Sequence, residues 1–347
     1  PLYSYTLVHV YMHTTATLER IRGRDAGGTA AGYLDDVFVA CDCHDTKNAI
    51  EYAAHQLATI KLKLNLSKVR VSGREPDHPG LRDLPGGVRV VFDGLTALGI
   101  PIGTDAYIEQ AVEQRCVAVE NFIQKVAKVP DTQSGLLLLR YCGITKWMYV
   151  TRQLPPTLTA VVAATARIDA CAVAAFRQLC GLPDLTLDQV SQVQLPLALG
   201  GFGVTSLTQI APAAFYSCAA ANFHSLKARQ LDSATPDSAL VNQPYATAFM
   251  WARESVKHLL PPDSHLASHT ASDLLVSAQP GLQSLLTHAI HKHQHDQMLQ
   301  RCSDDRAAAR LRSCTGPGAA GFLSAIPYGQ DTRLSSTIMK TAVRLRL

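Results

Sequence analysis

Two adjacent carboxylates, Asp35 and Asp36, stand among apolar residues in the stretch Gly32-Tyr33-Leu34-Asp35-Asp36-Val37-Phe38-Val39. Acids in such company are costly unless something uses them. β-Branched and aromatic residues follow the pair, and Ala30-Ala31-Gly32 lets the backbone turn and approach closely before it. The stretch therefore reads as a β-hairpin with Asp35 and Asp36 at its tip. Carboxylates at a tight turn offer oxygen to a hard divalent cation such as Mg²⁺, which binds through one or two carboxylates plus substrate phosphates. Paired ions of this kind, about 3.5–4 Å apart, align an attacking hydroxyl and stabilise a leaving oxygen. A hairpin turn also takes Asp for its polarity alone.

Other donor-rich stretches are weaker. His288, His291 and His295 share a face of an expected helix that also carries His293, and imidazole nitrogens suit zinc or copper. No Cys, Asp or Glu is spaced there as a clear fourth ligand, so a polar helix face explains them equally simply. Cys41, Cys43, His44 and Asp45 form a second cluster; on a strand, Cys-x-Cys points both thiols one way. Metal knuckles space cysteines more widely, which favours small buried thiols. Gly200-Gly201-Phe202-Gly203 lacks the spacing of a nucleotide-binding loop and reads as a sharp turn.

The elements that must position the acid pair follow from periodicity. Residues 2–21 do not decide between helix and strand. Thr46 to Leu64 reads as a helix with Ile50, Ala53, Ala54, Leu57, Ile60 and Leu64 in one stripe, and with Lys61 and Lys63 near its C-terminal end. Lys68 and Arg70 then alternate with Leu66, Val69 and Val71 as a basic strand. A loop spans 74–87, and Val88 to Val91 with Leu98 to Ile102 form a second apolar pair turning at Asp93-Gly94. From Asp105 the period becomes about 3.6. One helix carries Ile108, Val112, Val119, Phe122, Ile123 and Val126. Pro130-Asp131 ends it and starts the next, which runs to about Gln153. Helices over 157–179, 210–229, 245–260 and 282–311 complete the pattern.

Tyr33-Leu34-Asp35-Asp36 resembles the Tyr-x-Asp-Asp box of reverse transcriptases. Leu64-Asn65-Leu66-Ser67-Lys68-Val69 resembles the segment that follows the helix in that family, and Leu95-Thr96-Ala97-Leu98-Gly99-Ile100-Pro101-Ile102-Gly103 its primer grip. The resemblance implies an RNA-directed DNA polymerase of a retroelement, with RNA template, DNA primer and deoxynucleotides as partners and Mg²⁺ or Mn²⁺ as cofactor. It implies that Asp35 and Asp36 are catalytic metal ligands, that Tyr33 and Lys68 lie near nucleotide or phosphate, and that Leu98, Gly99 and Ile100 grip the primer. By the same resemblance the helices after the grip form a thumb whose Arg115, Lys125 and Lys128 touch the nucleic-acid backbone; a solvated helix face would show the same residues. Pro1-Leu2-Tyr3-Ser4 resembles the end of a family motif whose Gln-Gly start, and the strand bearing the other metal-binding Asp, are expected upstream. The chain is therefore expected to be a fragment, inactive alone. An RNA-directed RNA polymerase would typically carry Gly-Asp-Asp where this chain has Leu34-Asp35-Asp36. Leu195-Pro196 through Gly203 is similar to a segment downstream of the polymerase domain in many retroelement proteins. The other reading is a helical remnant that binds nucleic acid or protein without chemistry.

Composition sets the frame. With 347 residues, 47% hydrophobic and 17% charged, the chain has length for about two globular cores and is unlike a disordered one. A net charge of +4 permits a nucleic-acid partner. The nine cysteines are scattered without a Cys-x-x-Cys pair, as in a reduced, intracellular, non-secreted protein. No apolar run approaches the ~20 residues of a membrane span, so no membrane partner is expected. The expected fold is α+β and predominantly helical. It comprises a partial palm over 1–104, a thumb-like helical region over 105–185 and a helical extension over 186–347.

Overall fold

Helix accounts for 66% of the chain and strand for 7% in the computed structural model, so the fold is α+β and predominantly helical, with only small sheets. Residues 29–33, 36–73, 77–230, 244–268, 281–302 and 304–347 are described. The expected ambiguity at 2–21, and Leu34 and Asp35, lie outside them. The chain divides into two units, 1–108 and 109–347.

In the first unit, β1 (Thr29–Tyr33) and β2 (Asp36–Ala40) pair antiparallel from Thr29↔Ala40 to Tyr33↔Asp36. A 3-10 turn over Cys43–Asp45, capped by the Asp42 side chain, leads into α1 (Thr46–Thr59). This helix stops five residues short of the expected Leu64. Its end is a Schellman turn: Lys61, in the left-handed region at φ 60°, donates its amide to Ala58, and Leu62 donates to Leu57. The lysines thus follow the helix rather than lie on its last turn.

Beyond it, the expected basic strand is shorter. Leu66–Lys68 form a 3-10 turn capped by Asn65, which puts Lys68 off the sheet, and β3 spans only Arg70–Ser72. The expected pairing around Asp93-Gly94 is also corrected. β4 (Arg89–Val91) runs parallel to β3, while β5 (Gly94–Ala97) pairs antiparallel with β6 (Ile100–Gly103). The hairpin turns at Leu98-Gly99, both at positive φ (49° and 78°), as a two-residue primed turn requires. Gly94 serves close packing instead: a Cβ there would fall 2.5 Å from the Tyr107 ring.

Helices α2 (Asp105–Val126), α3 (Thr132–Leu138), α4 (Thr145–Gln153) and α5 (Thr159–Cys180) follow the 3.6-residue spacing closely. Asp131 caps α3 by accepting the Ser134 amide at 2.6 Å. Between α3 and α4, Leu139–Ile144 widen into π-helical turns, a feature no residue pattern announces. Gly135 lets α3 cross α5 closely; a Cβ there would meet Leu179 at 2.5 Å. Trp147, fully buried, donates its indole N–H to Thr165 on α5 at 2.9 Å. Gly181, at φ 58°, ends α5 as the Gly-Pro pattern implies. Among the described helices α5 is long and apolar enough to cross a bilayer by length and composition. Here it is a core element, burying Val161, Ile168, Phe176 and Leu179.

After α6 (Leu187–Gln194), a 3-10 turn over Leu197–Leu199 leads into Gly200-Gly203, the expected sharp turn, with Gly200 and Gly203 at φ 78° and 70°. The Asp169 carboxylate on α5 then caps α7 (Leu207–Gln230), accepting the Leu207 and Thr208 amides at 2.8 and 2.9 Å. Helices α8 (Pro244–Leu259), α9 (His265–Ser268) and α10 (Leu282–Arg301) come next. One cluster, including Phe215, Tyr216, Phe249, Val256, Leu286 and Ile290, joins α7, α8 and α10. The expected helix over 282–311 is two: α10 ends at Arg301, and α11 (Asp305–Ser313) restarts under an Asp304 cap. The chain closes through the short α12 (Gly321–Ser324) and α13 (Ser336–Arg346).

Candidate nucleic-acid interface

The residues expected to touch a nucleic-acid backbone are only partly brought together. Arg115, Ala118, Val119, Phe122 and Lys125 recur three or four residues apart on α2 and so line one face of it. With Asn121 and with Lys146 from α4, they form a groove of about 470 Å³. The Lys146 ammonium sits over the Phe122 ring. Among the described residues no carboxylate lines this groove. The α2 acids nearest in sequence lie on its other side, where Arg167 of α5 reaches Glu113 at 2.7 Å and Glu120 at 2.6 Å. Hydrogen bonds to those two glutamates hold the Arg167 guanidinium more firmly protonated than usual. The helix therefore carries those two acids, paired with Arg167, on the flank opposite the groove.

Lys128 is exposed in the turn after α2 and does not line the groove. Lys146 and Asn121 were not singled out from the sequence. Lys146 lies in a stretch that reads correctly as helix, but its neighbour Phe122 is 24 residues earlier, and local spacing carries no sign of that contact. Tyr149, three residues on from Lys146, is exposed on α4 and adds a stacking surface near the cations.

The sites expected in the first unit are less complete. Tyr33 and Asp36 enter through their backbone, as the terminal pair of the β1–β2 ladder. Asp35 lies outside the described residues. Two consecutive carboxylates are the kind of oxygen donor set that Mg²⁺ accepts. Lys68 is exposed on its 3-10 turn. Leu98 and Gly99 form the tip of the β5–β6 hairpin, with Leu98 43% exposed, and Ile100 begins β6.

The cysteine and histidine clusters also differ from expectation. Cys41 follows β2 and Cys43 lies on a 3-10 turn, so they do not share a strand face, and both are half-buried rather than core thiols. On α10, His291 and His295 face the interior instead of forming a polar surface, while His288 is exposed. Burial raises the Cys116 thiol to about 11 and the Cys180 thiol to about 12, which makes both poor nucleophiles at neutral pH. No protein family, no curated protein and no solved structure matches the chain.

Proposed function

We propose that this chain is part of a retroelement reverse transcriptase and that its helical unit holds nucleic acid through the groove of Arg115, Lys125 and Lys146. The observation that supports binding is the grouping of Arg115 and Lys125 from α2 with Lys146 from α4 beside the Phe122 ring, with no acid among the described residues that line the groove. Lys and Arg aimed at phosphates give affinity without sequence preference, and a base or sugar can rest on an aromatic face. In this reading Asp35 and Asp36 bind Mg²⁺ or Mn²⁺ for nucleotidyl transfer. Tyr33 and Lys68 flank the nucleotide, and Leu98, Gly99 and Ile100 hold the primer end. The support for this catalytic part is the order of three sequence motifs.

A second reading, a binding module without chemistry, is favoured by one feature: the groove is built wholly from residues of the second unit. One pair of experiments separates the two. An RNA–DNA primer–template duplex labelled with a fluorophore is titrated with the chain at low salt, and saturable binding is expected. Primer extension is then assayed with the chain joined to its upstream coding sequence. Mg²⁺-dependent incorporation that disappears in Asp35→Asn supports the polymerase. Binding without incorporation supports the module, and full activity in Asp35→Asn rejects the role given to Asp35.

A further inference from the structure

Outside the groove, the described residues hold a mixed nitrogen and oxygen donor set in the first unit. Asp42, His44 and His78 each place a ligand atom within 4.8 Å of the other two. The set joins two turns more than thirty residues apart in sequence. The first turn follows β2, where Asp42 accepts the His44 amide at 3.0 Å. The second precedes the buried Leu81, where His78 Nδ1 accepts the Gly80 amide at 3.1 Å. The imidazoles of His44 and His78 pack edge to face with centroids 4.5 Å apart. The turns are locked by backbone contact, because Gly80 lies so close against the Cys43 carbonyl that a Cβ would overlap it. Their separation is thus set by main chain.

We propose that Asp42, His44 and His78 form a transition-metal site, with Zn²⁺, Ni²⁺ or Cu²⁺ as the class of ion and water completing the coordination. Two imidazoles with one carboxylate suit these borderline ions, whereas Mg²⁺ and Ca²⁺ prefer an all-oxygen set. Metal–ligand bonds of about 2.0–2.2 Å put tetrahedral donors roughly 3.3 Å apart, so side-chain rotation alone must draw the three atoms together. One exchange accompanies this. His78 Nδ1 already accepts a hydrogen bond from the Gly80 amide, and an ion on Nε2 would leave the ring without any proton. The ion therefore takes Nδ1 in place of the Gly80 amide, or the ring turns over to present Nε2 with Nδ1 protonated. In both cases the Gly80 amide is released. The bound ion clamps the exit of β2 to the turn before Leu81.

The test is calorimetric titration of the full chain with Ni²⁺ and with Zn²⁺. One saturable ion per chain is expected, with affinity at least tenfold weaker in His44→Gln and in His78→Gln. His293→Gln serves as the comparison, since that ring pairs with Gln297 on α10, and it should leave the affinity unchanged. A wild-type chain that takes up neither ion overturns the proposal, as does undiminished affinity in both His44→Gln and His78→Gln. A second measurement needs no variant. Ni²⁺ should protect His44 and His78 from carbethoxylation by diethyl pyrocarbonate and shift the Gly80 amide resonance; equal modification with and without the ion overturns the site.

Discussion

The ammonium of Lys146 on α4 stands 4.7 Å from the ring centroid of Phe122 on α2, which fixes a cation from one helix over the aromatic face of another. Such a contact contributes about 0.5–1 kcal/mol at an exposed site. Its larger effect is placement, because it holds Lys146 beside Arg115 and Lys125.

Three cations that neutralise three phosphates give a salt slope near −2.7 in a log–log plot, or about a forty-fold loss of duplex affinity between 50 and 200 mM salt. Lys125→Ala and Lys146→Ala should each lower the slope by about 1, and Lys128→Ala, outside the groove, should lower it less. Fluorescence anisotropy across a salt series measures this. A slope unaffected by either groove substitution would remove the groove from the binding surface.

Arg140 is a buried charge without a counter-ion among the described residues. Its Nη2 donates to the Leu323 carbonyl, while Nε and Nη1 have no hydrogen-bond partner among the described residues. Burial makes the guanidinium easier to deprotonate than usual. Replacing a buried, under-satisfied charge by an apolar side chain of similar length is often neutral or stabilising by ~1–4 kcal/mol. Arg140→Met should therefore raise the denaturant midpoint without changing duplex binding. A marked fall in stability would mean that Arg140 has a partner in solution worth more than its desolvation costs.

His291 is 4% exposed, and its Nε2 lacks a partner among the described residues. Burial, aided by nearby His288, pushes its pKa down to about 4 from an ordinary 6.5. The neutral ring fits the folded protein, so above pH 6.5 it carries no penalty. Below that, the unfolded chain takes up the proton first, and stability is lost as pH falls from 6.5 towards 4, by about 3 kcal/mol in all. Urea unfolding at several pH values should show a shallower acid loss in His291→Leu than in the wild type. Equal slopes would show that the ring is hydrated or paired.

Residues 105–230 were largely legible in the sequence because amphipathic spacing, the Asp131 cap and Gly181 are local signals of helix and of its ends. The β1–β2 hairpin was legible for the same reason, from alternation around Tyr33 and Asp36. The β3–β4 pair was not, since a parallel ladder of three residues per strand leaves no turn signal to mark it. Asp93-Gly94 misled because Gly94 is needed for contact with Tyr107 rather than for a turn, while the true turn uses Leu98, an unusual residue at positive φ. Half of the groove was legible: Arg115 and Lys125 share a helix face, whereas Lys146 joins them through tertiary packing. His291 escaped because α10 is buried on more sides than its apolar stripe implies.

The Gly200–Gly203 turn supports a final prediction, because residues of α6 and α13 converge on it. Arg346 on α13 donates from Nε and Nη2 to the Gly201 carbonyl, at 3.3 and 3.2 Å, and from Nη2 to Leu197. Its guanidinium lies 5.7 Å from the Phe202 ring centroid. Gln192 on α6 bridges the carbonyls of Gly200 and Arg346, at 3.2 and 2.9 Å. Gly201 sits against the Leu195 carbonyl so tightly that a Cβ would overlap it, and backbone cannot swing aside as a side chain can. Gly201→Ala should thus push the turn outward and loosen several of these bonds together. The expected cost is about 2–4 kcal/mol, the sum of overpacking and of buried donors left unpaired. Gly321→Ala, at a position where a Cβ meets nothing within 4 Å, provides the comparison and should change stability little. Thermal unfolding of both variants decides the point: a Gly201→Ala chain as stable as Gly321→Ala would show that the turn yields without cost and that Arg346 does not tie α13 to it.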